Sequence, residues 1–290
     1  MNTTNSTALS RRRALKLLAA GVAGGSLLPR LAAAGERHNT EARRIERIGL
    51  QLYTVRSAMA KDLEGTIAAI AAAGITELEF AGYYNKPATW WRVLMKSHGM
   101  TAPSTHIGLP KTDAEWEPHF VMAKAMGHTC VIVPSFGAEF RGDGGYKRLA
   151  DRLNSSGALA KKSGLRIGYH NHDAEFAPQA SGPNGFEILA ANTDPKLVDF
   201  ELDLYWAVKA GQDPLKIIAA HPQRIAYCHV KDAGPAPERS MMDVGAGTID
   251  FKTIIQAGRK VGLKHWFIEH DAPKDALASI AASAAALKKL

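Results

Sequence analysis

Between positions 48 and 270 the sequence carries eight short apolar runs separated by longer stretches in which apolar residues recur at helical spacing. The runs fall at 48–53, 77–82, 102–107, 130–135, 166–171, 198–204, 225–230 and 265–270. Helical patterns lie between them, as at 62–73, 116–126, 146–163, 213–220 and 251–261, with an Ala-rich last helix over 274–290. Several close on a glycine (Gly74, Gly99, Gly127, Gly164, Gly262), the residue that adopts a left-handed helix end without strain. Strand and helix alternating eight times imply parallel pairing through right-handed crossovers. At this length the natural closure is a single (β/α)8 TIM barrel spanning 47–290. The weaker option, an open doubly wound sheet for a dinucleotide, lacks a Gly-x-Gly-x-x-Gly after the first run.

In such barrels chemistry gathers where strands end. The ends here carry Gln51 and Tyr53, Glu79, His106, Ser135, His170 and His172, Asp203, His229 and Glu269. Side chains alternate between faces along a strand, so His170 pairs with His172, Glu201 with Asp203, and His229 with Lys231. His170, Asp203, His229 and Glu269 come from four consecutive strands, whose neighbours lie ~5 Å apart, so they can converge on one ion. Two imidazoles and two carboxylates suit a divalent metal such as Mn²⁺, Zn²⁺ or Co²⁺; a buried ion-pair network is the alternative use of the same set. Taken singly, Glu79 and Ser135 read as structural.

Of the 290 residues, 1–34 hold five basic side chains (Arg11, Arg12, Arg13, Lys16, Arg30) and no acidic one. A basic head, a short apolar middle and Ala32-Ala33-Ala34 read as a cleaved secretory signal, and the paired arginines resemble a twin-arginine one. Export to the periplasm through that machinery is the expectation, with 35–46 as a linker. The apolar run is too short for a stable membrane anchor. Removing five from 36 basic residues leaves 31 against 28 acidic, a balance of +3 that argues against nucleic acid as partner. Cys130 and Cys228 lie in apolar runs and read as small packed hydrophobes rather than a disulfide.

The runs IGLQLYTVR (48–56), YHNHDAEF (169–176), ELDLYW (201–206), HVKD (229–232), VGAGTIDF (244–251) and IEHD (268–271) together resemble the sugar phosphate isomerase/epimerase family of xylose-isomerase-like barrels. The resemblance implies a divalent ion, manganese first with Zn²⁺, Co²⁺ or Mg²⁺ as others, held by His170, Asp203, His229 and Glu269. It also implies an isomerase or epimerase acting on an unphosphorylated sugar or keto-sugar by proton abstraction next to a carbonyl, through an enediolate. Two departures stand out. Sugar epimerases of this fold place a glutamate where this chain has His170, and a substrate-binding histidine where it has Trp206. Glu269, His172 and Glu175 are then the candidate acids and bases. Gln51, Arg56, His106 and Lys231 are candidates for substrate hydroxyls, and Tyr53 and Trp206 for stacking on a ring. A lyase or dehydratase eliminating from a keto-sugar or 3-keto-glycoside is the alternative; a non-catalytic carbohydrate-binding barrel is another. The glycine-rich 243–247 could cradle a phosphate, but a plain turn is preferred. The oligomeric state stays open.

Overall fold

A computed structural model describes residues 45, 47–179 and 182–290, which belong to one compact unit. The expected signal and most of the linker lie outside these residues. No helix among those described is long and apolar enough to cross a membrane.

Eight parallel strands close a barrel: β1 Gly49–Gln51, β2 Glu77–Phe80, β3 Thr101–His106, β4 Cys130–Val133, β5 Arg166–His170, β6 Val198–Asp203, β7 Ile225–Val230 and β8 His265–Ile268. Each pairs with its sequence neighbours, and β1 meets β8 with Gly49 opposite Phe267 and Leu50 opposite Ile268. The outward residues of the strands (Leu50, Leu78, Val131, Val133, Ile167, Phe200, Leu202, Val230, Ile268) are buried under the surrounding helices in one large apolar core. This two-faced burial is what a parallel strand requires.

Several helices start where a short side chain caps the first turn. Asp62 accepts from Gly65 N (2.9 Å), Asp213 from Leu215 N (2.9 Å) and Asp250 from Thr253 N (3.1 Å). Each aspartate therefore stands just outside its helix, and the helices run Leu63–Ala72, Pro214–Ala220 and Phe251–Lys260. The sequence pattern placed Asp62 and Asp213 inside, because an N-cap satisfies helical periodicity without having helical backbone.

The barrel interior is layered. At the N-terminal end the Arg166 guanidinium grips Asp199 with two bonds (Nε–Oδ2 2.5 Å, Nη2–Oδ1 2.7 Å). Above it Cys130, Ile132, Tyr227 and Phe267 form a small apolar plug. Gly49 makes room for it: a Cβ there would stand 2.3 Å from the Phe267 ring and 2.8 Å from the Trp266 carbonyl. Rotating Phe267 cannot relieve the contact with backbone. Gly49→Val should therefore lower stability by about 2–3 kcal/mol, as overpacked cores do, read as a shifted urea midpoint at unchanged slope. A variant as stable as the parent would refute this packing.

Strand β1 is shorter than its apolar run. At Leu52 the chain turns into a 3₁₀ helix, Leu52–Val55, capped by the Gln51 side chain, whose Oε1 accepts Tyr53 N at 3.0 Å. Gln51 and Tyr53 thus part company: Gln51 is fully buried and Tyr53 is exposed.

After β7 a two-stranded ribbon (Asp232–Ala233 with Met241–Met242) leads into the glycine-rich turn. Asp232 is buried, and its Oδ2 accepts Gly245 N and Gly247 N, both at 2.9 Å. Its Oδ1 accepts Ala233 N at 2.8 Å and Ile249 N at 3.1 Å. The backbone amides that could have cradled a phosphate are filled by the chain's own carboxylate, which supports the plain turn. A Cβ at Gly247 would lie 2.3 Å from Asp232 Oδ1, so the turn needs glycine there.

Candidate active site

The C-terminal ends of the strands open into a cavity of about 500 Å³. Its walls include Tyr53, His106, Ser135, His170, His172, Lys231, Glu269 and Asp271. Its floor is the next layer of inward side chains, a closed network of carboxylates and imidazoles.

At the bottom of that network sits Glu79. Its Oε1 accepts Gln51 Nε2 (2.8 Å) and meets His229 Nε2 (2.7 Å) and His106 Nε2 (3.1 Å), while Oε2 accepts Ser104 Oγ (2.5 Å). Glu201 Oε2 draws on His106 Nε2 (2.7 Å), His170 Nδ1 (3.1 Å) and His229 Nε2 (3.1 Å). Above this, Glu269 Oε2 lies 2.7 Å from His229 Nδ1 and 2.6 Å from Lys231 Nζ. Both ring nitrogens of His229 therefore face carboxylates.

The electrostatics follow from burial set against these partners. Burial opposes charge on His106, yet Glu79 and Glu201 outweigh it and push its pKa up to about 9. His229 is likewise raised well above the ordinary range by Glu201 and Glu269 against the pull of burial. Burial would raise Glu79 and Glu269, but neighbouring cations hold both low: His106 and His229 for the first, Lys231 and His229 for the second. Burial lowers His170 well below its usual value, helped by the adjacent His229, and it lowers His172 too. Burial raises Asp203.

Among the described residues two sets could hold a cation, each with its donor atoms within 4.8 Å of one another: Asp203, His229 and Glu269, and His106, His170, Glu201 and His229. Three of the four residues expected to share an ion thus meet. His170 lies in the second set, though its Nε2 comes to 3.7 Å from Asp203 Oδ2. Asp203 Oδ1 caps the following helix through Trp206 N (3.0 Å). Its buried Oδ2 receives no hydrogen bond, and its 2.9 Å approach to Lys231 Nζ is an ion pair without hydrogen-bond alignment. Glu201 Oε1 is also buried and unbonded. Buried carboxylate oxygens set beside imidazoles without a hydrogen bond are costly to bury and fit a divalent cation.

The other expected residues divide. His106, His172, Lys231 and Tyr53 line the cavity. Gln51 does not reach a ligand: it is fully buried and its amide is spent on Glu79 and Tyr53. Arg56 stacks 3.9 Å over the Tyr53 ring and donates to the Tyr53 carbonyl (2.7 Å), so it steadies Tyr53 rather than facing the cavity. Trp206 packs beside His172, their ring centres 5.4 Å apart. Glu175 faces away from the cavity. Its two oxygens accept Tyr169 Oη (2.5 Å) and His172 N (2.8 Å), so it anchors the loop that carries His172 and is no acid or base for a ligand. Sequence reasoning underrated Glu79 and passed over Glu201 as a donor. The shared parity of Glu201 with Asp203 was the available signal.

His128, behind the network, gives a pH signature of its own. It is buried, its Nδ1 is 2.7 Å from the Ala102 carbonyl, and burial pushes its pKa down to about 4 from 6.5. Below pH 6.5 the unfolded chain takes up a proton that the folded protein refuses, so stability falls with pH until about pH 4. The loss is about 3 kcal/mol at ~1.4 kcal/mol per pH unit. Urea titrations of the parent and of His128→Asn over this range should show the steeper acid loss in the parent; equal slopes would exclude it.

The sequence pattern of the family described as xylose isomerase-like TIM barrel matches residues 60–290. An inosose dehydratase of Geobacillus thermodenitrificans is 31% identical over 136 residues, 41% of this chain and 45% of that protein. One from Lacticaseibacillus casei is 27% identical over 188 residues, 54% of this chain and 62% of its own length. The chain therefore spans about half the length of these curated relatives. A crystal structure of a sugar phosphate isomerase/epimerase from Parabacteroides distasonis superposes with a TM-score of 0.70 at 26% identity, covering 83% of this chain and 93% of that one.

Proposed function

This chain belongs to the xylose isomerase-like TIM barrel family, and from that footing we propose that it is a metal-dependent lyase. Its proposed reaction removes the proton beside a ketone of an unphosphorylated cyclic keto-sugar or keto-polyol and expels a hydroxyl or alkoxyl group from the next carbon. Isomerisation, the first expectation from the sequence, takes second place. Two similar relatives are named inosose dehydratases, and His170 stands where a second glutamate would serve an epimerase. The observation that carries the proposal is the meeting of Asp203, His229 and Glu269 beside the cavity, where the buried Asp203 Oδ2 has an ion pair with Lys231 but no hydrogen bond. The filled amide nest around Asp232 supports a substrate without phosphate.

A divalent ion held by Asp203, His229 and Glu269, with His170 beside them, would supply Lewis-acid stabilisation of charge developing on the ketone oxygen. The remaining work falls to side chains. His172 lines the cavity, and burial favours its neutral imidazole, so it is suited to accept the carbon-bound proton. Glu269 is a poorer base, because Lys231 and His229 stabilise its charged form. His106 is the proposed acid for the leaving oxygen: it reaches the cavity, and Glu79 and Glu201 keep it protonated at neutral pH. Ser135 and Asp271 complete the wall with groups that can bond hydroxyls.

The test is incubation of Mn²⁺-loaded protein with inososes and 3-keto-glycosides in deuterated water. Release of water or an aglycone with formation of an unsaturated ketone is expected. Deuterium entering at one carbon with every substituent retained would make the enzyme an isomerase, and no exchange on any substrate would leave a binding protein. Export by the twin-arginine route is proposed from residues 1–34 alone; an Arg11→Lys/Arg12→Lys double variant should stay in the cytoplasm, and folded protein outside the membrane would refute that route.

A further inference from the structure

Lys231 is the anomaly of the site. Its ammonium is nearly inaccessible, with its residue 1% exposed, and it lies between three carboxylates. Nζ stands 2.9 Å from Asp203 Oδ2, 2.6 Å from Glu269 Oε2 and 2.8 Å from Asp271 Oδ1. The first two oxygens belong to side chains assigned above to the metal. The third belongs to a residue whose side chain is 35% exposed at the cavity wall and which joins neither candidate cation set. A buried lysine with a single carboxylate would be a plain structural pair; one shared between two prospective ligands and an outside partner is placed to compete for the first two.

We propose that Lys231 is an internal cation that occupies the metal's carboxylates until the ion arrives, and that Asp271 is the partner it keeps afterwards. The inference rests on the metal reading above and deepens it. Two positive charges cannot both lie in contact with Asp203 Oδ2 and Glu269 Oε2 without strong repulsion in a buried setting. Taking the ion therefore requires the ammonium to withdraw from them, and a buried ammonium with no carboxylate left would be severely destabilised. Asp271 removes that penalty. The pair acts as a threshold: monovalent or weakly held ions fail to displace Lys231, whereas a divalent ion with imidazole affinity succeeds. It also keeps Asp203 and Glu269 from facing one another bare while the site is empty. Both residues are positioning residues here, since neither is asked to touch the reacting carbon.

The test is the affinity of the purified full chain for Mn²⁺ by calorimetry, read without any substrate. Lys231→Met should tighten Mn²⁺ binding at least tenfold and enlarge the rise in melting temperature that Mn²⁺ brings. Asp271→Asn, at a partly exposed position, should weaken binding about tenfold in the parent and less than twofold in the Lys231→Met background. This non-additivity separates a displaced lysine from a general loss of negative charge, which would weaken binding equally in both backgrounds. Affinity unchanged or weakened in Lys231→Met, or an equal effect of Asp271→Asn in the two backgrounds, overturns the proposal while leaving the metal site intact. Should Lys231→Met not fold, Lys231→Gln is read in its place, and unaltered or tighter binding by Asp271→Asn alone overturns the idea. A parent that binds no divalent ion overturns both this inference and the reading beneath it.

Discussion

Asp203→Asn is expected to abolish tight Mn²⁺ binding and to lower kcat/KM by ~10³ or more, while the barrel keeps its secondary structure. The two oxygens of Asp203 have separate duties, which is why the substitution is informative. Oδ1 caps the helix Leu204–Lys209 by accepting Trp206 N, and an asparagine oxygen can do the same. Oδ2 is the buried atom without a hydrogen bond, facing Lys231, His170 and His229 at 2.9, 3.7 and 3.8 Å. Exchanging that oxygen for an amide removes one negative charge from the cation site and leaves the volume almost unchanged. A thousandfold loss is about 4 kcal/mol of transition-state stabilisation, the scale on which a preorganised electrostatic contact acts in a water-poor site. Circular dichroism separates this outcome from unfolding. Full activity in the folded variant would remove Asp203, and with it the proposed floor of the site.

Stripping the ion with a chelator is expected to have the second largest effect: turnover stops and returns on adding Mn²⁺. Melting should fall as well. At a free ion concentration of 100 Kd the bound state is favoured by about 2.7 kcal/mol, which corresponds to roughly 5–11 °C in a domain of this size. The stripped protein should nevertheless stay folded, because Lys231, His106 and His229 already neutralise much of the buried negative charge around Glu79, Glu201, Asp203 and Glu269. Undiminished turnover after exhaustive chelation would refute a metal-dependent reaction, whatever the melting curve did.

Much of this arrangement could be read from the residues in order. Period-two alternation tells which face a side chain takes, and it put His170, Asp203, His229, Lys231 and Glu269 on the inner face of their strands. It does not tell depth. Residues two apart on one strand share a face yet stand ~6.6 Å apart along it, which separates a cavity wall from the layer below. Gln51 and Glu79 lie in the later half of their runs as Glu269 does, but strand stagger sinks them into the floor, where they bond each other. Glu201, one step below Asp203, joins His106 and His170 by the same geometry. The place of the loop residue Glu175 is illegible for another reason. Its partners, Tyr169 Oη and the His172 amide, depend on a short 3₁₀ turn, Ala174–Phe176, whose direction no periodicity specifies. Asp232 filling the glycine-rich turn was equally illegible, because the four amides it gathers come from both sides of the ribbon.

The placement of the two thiols has a consequence for where this protein can work. Cys130 sits in the apolar plug inside the barrel, and Cys228 points outward beneath the helices, on strands that are not neighbours. Both are free, and burial raises each thiol well above its ordinary pKa, so neither is poised as a nucleophile. Maturation needs no oxidant and no shuffling of sulfur bonds. The same native state is open to a chain kept among glutathione and to one released among oxidants, so crossing from one milieu to the other would leave its architecture untouched.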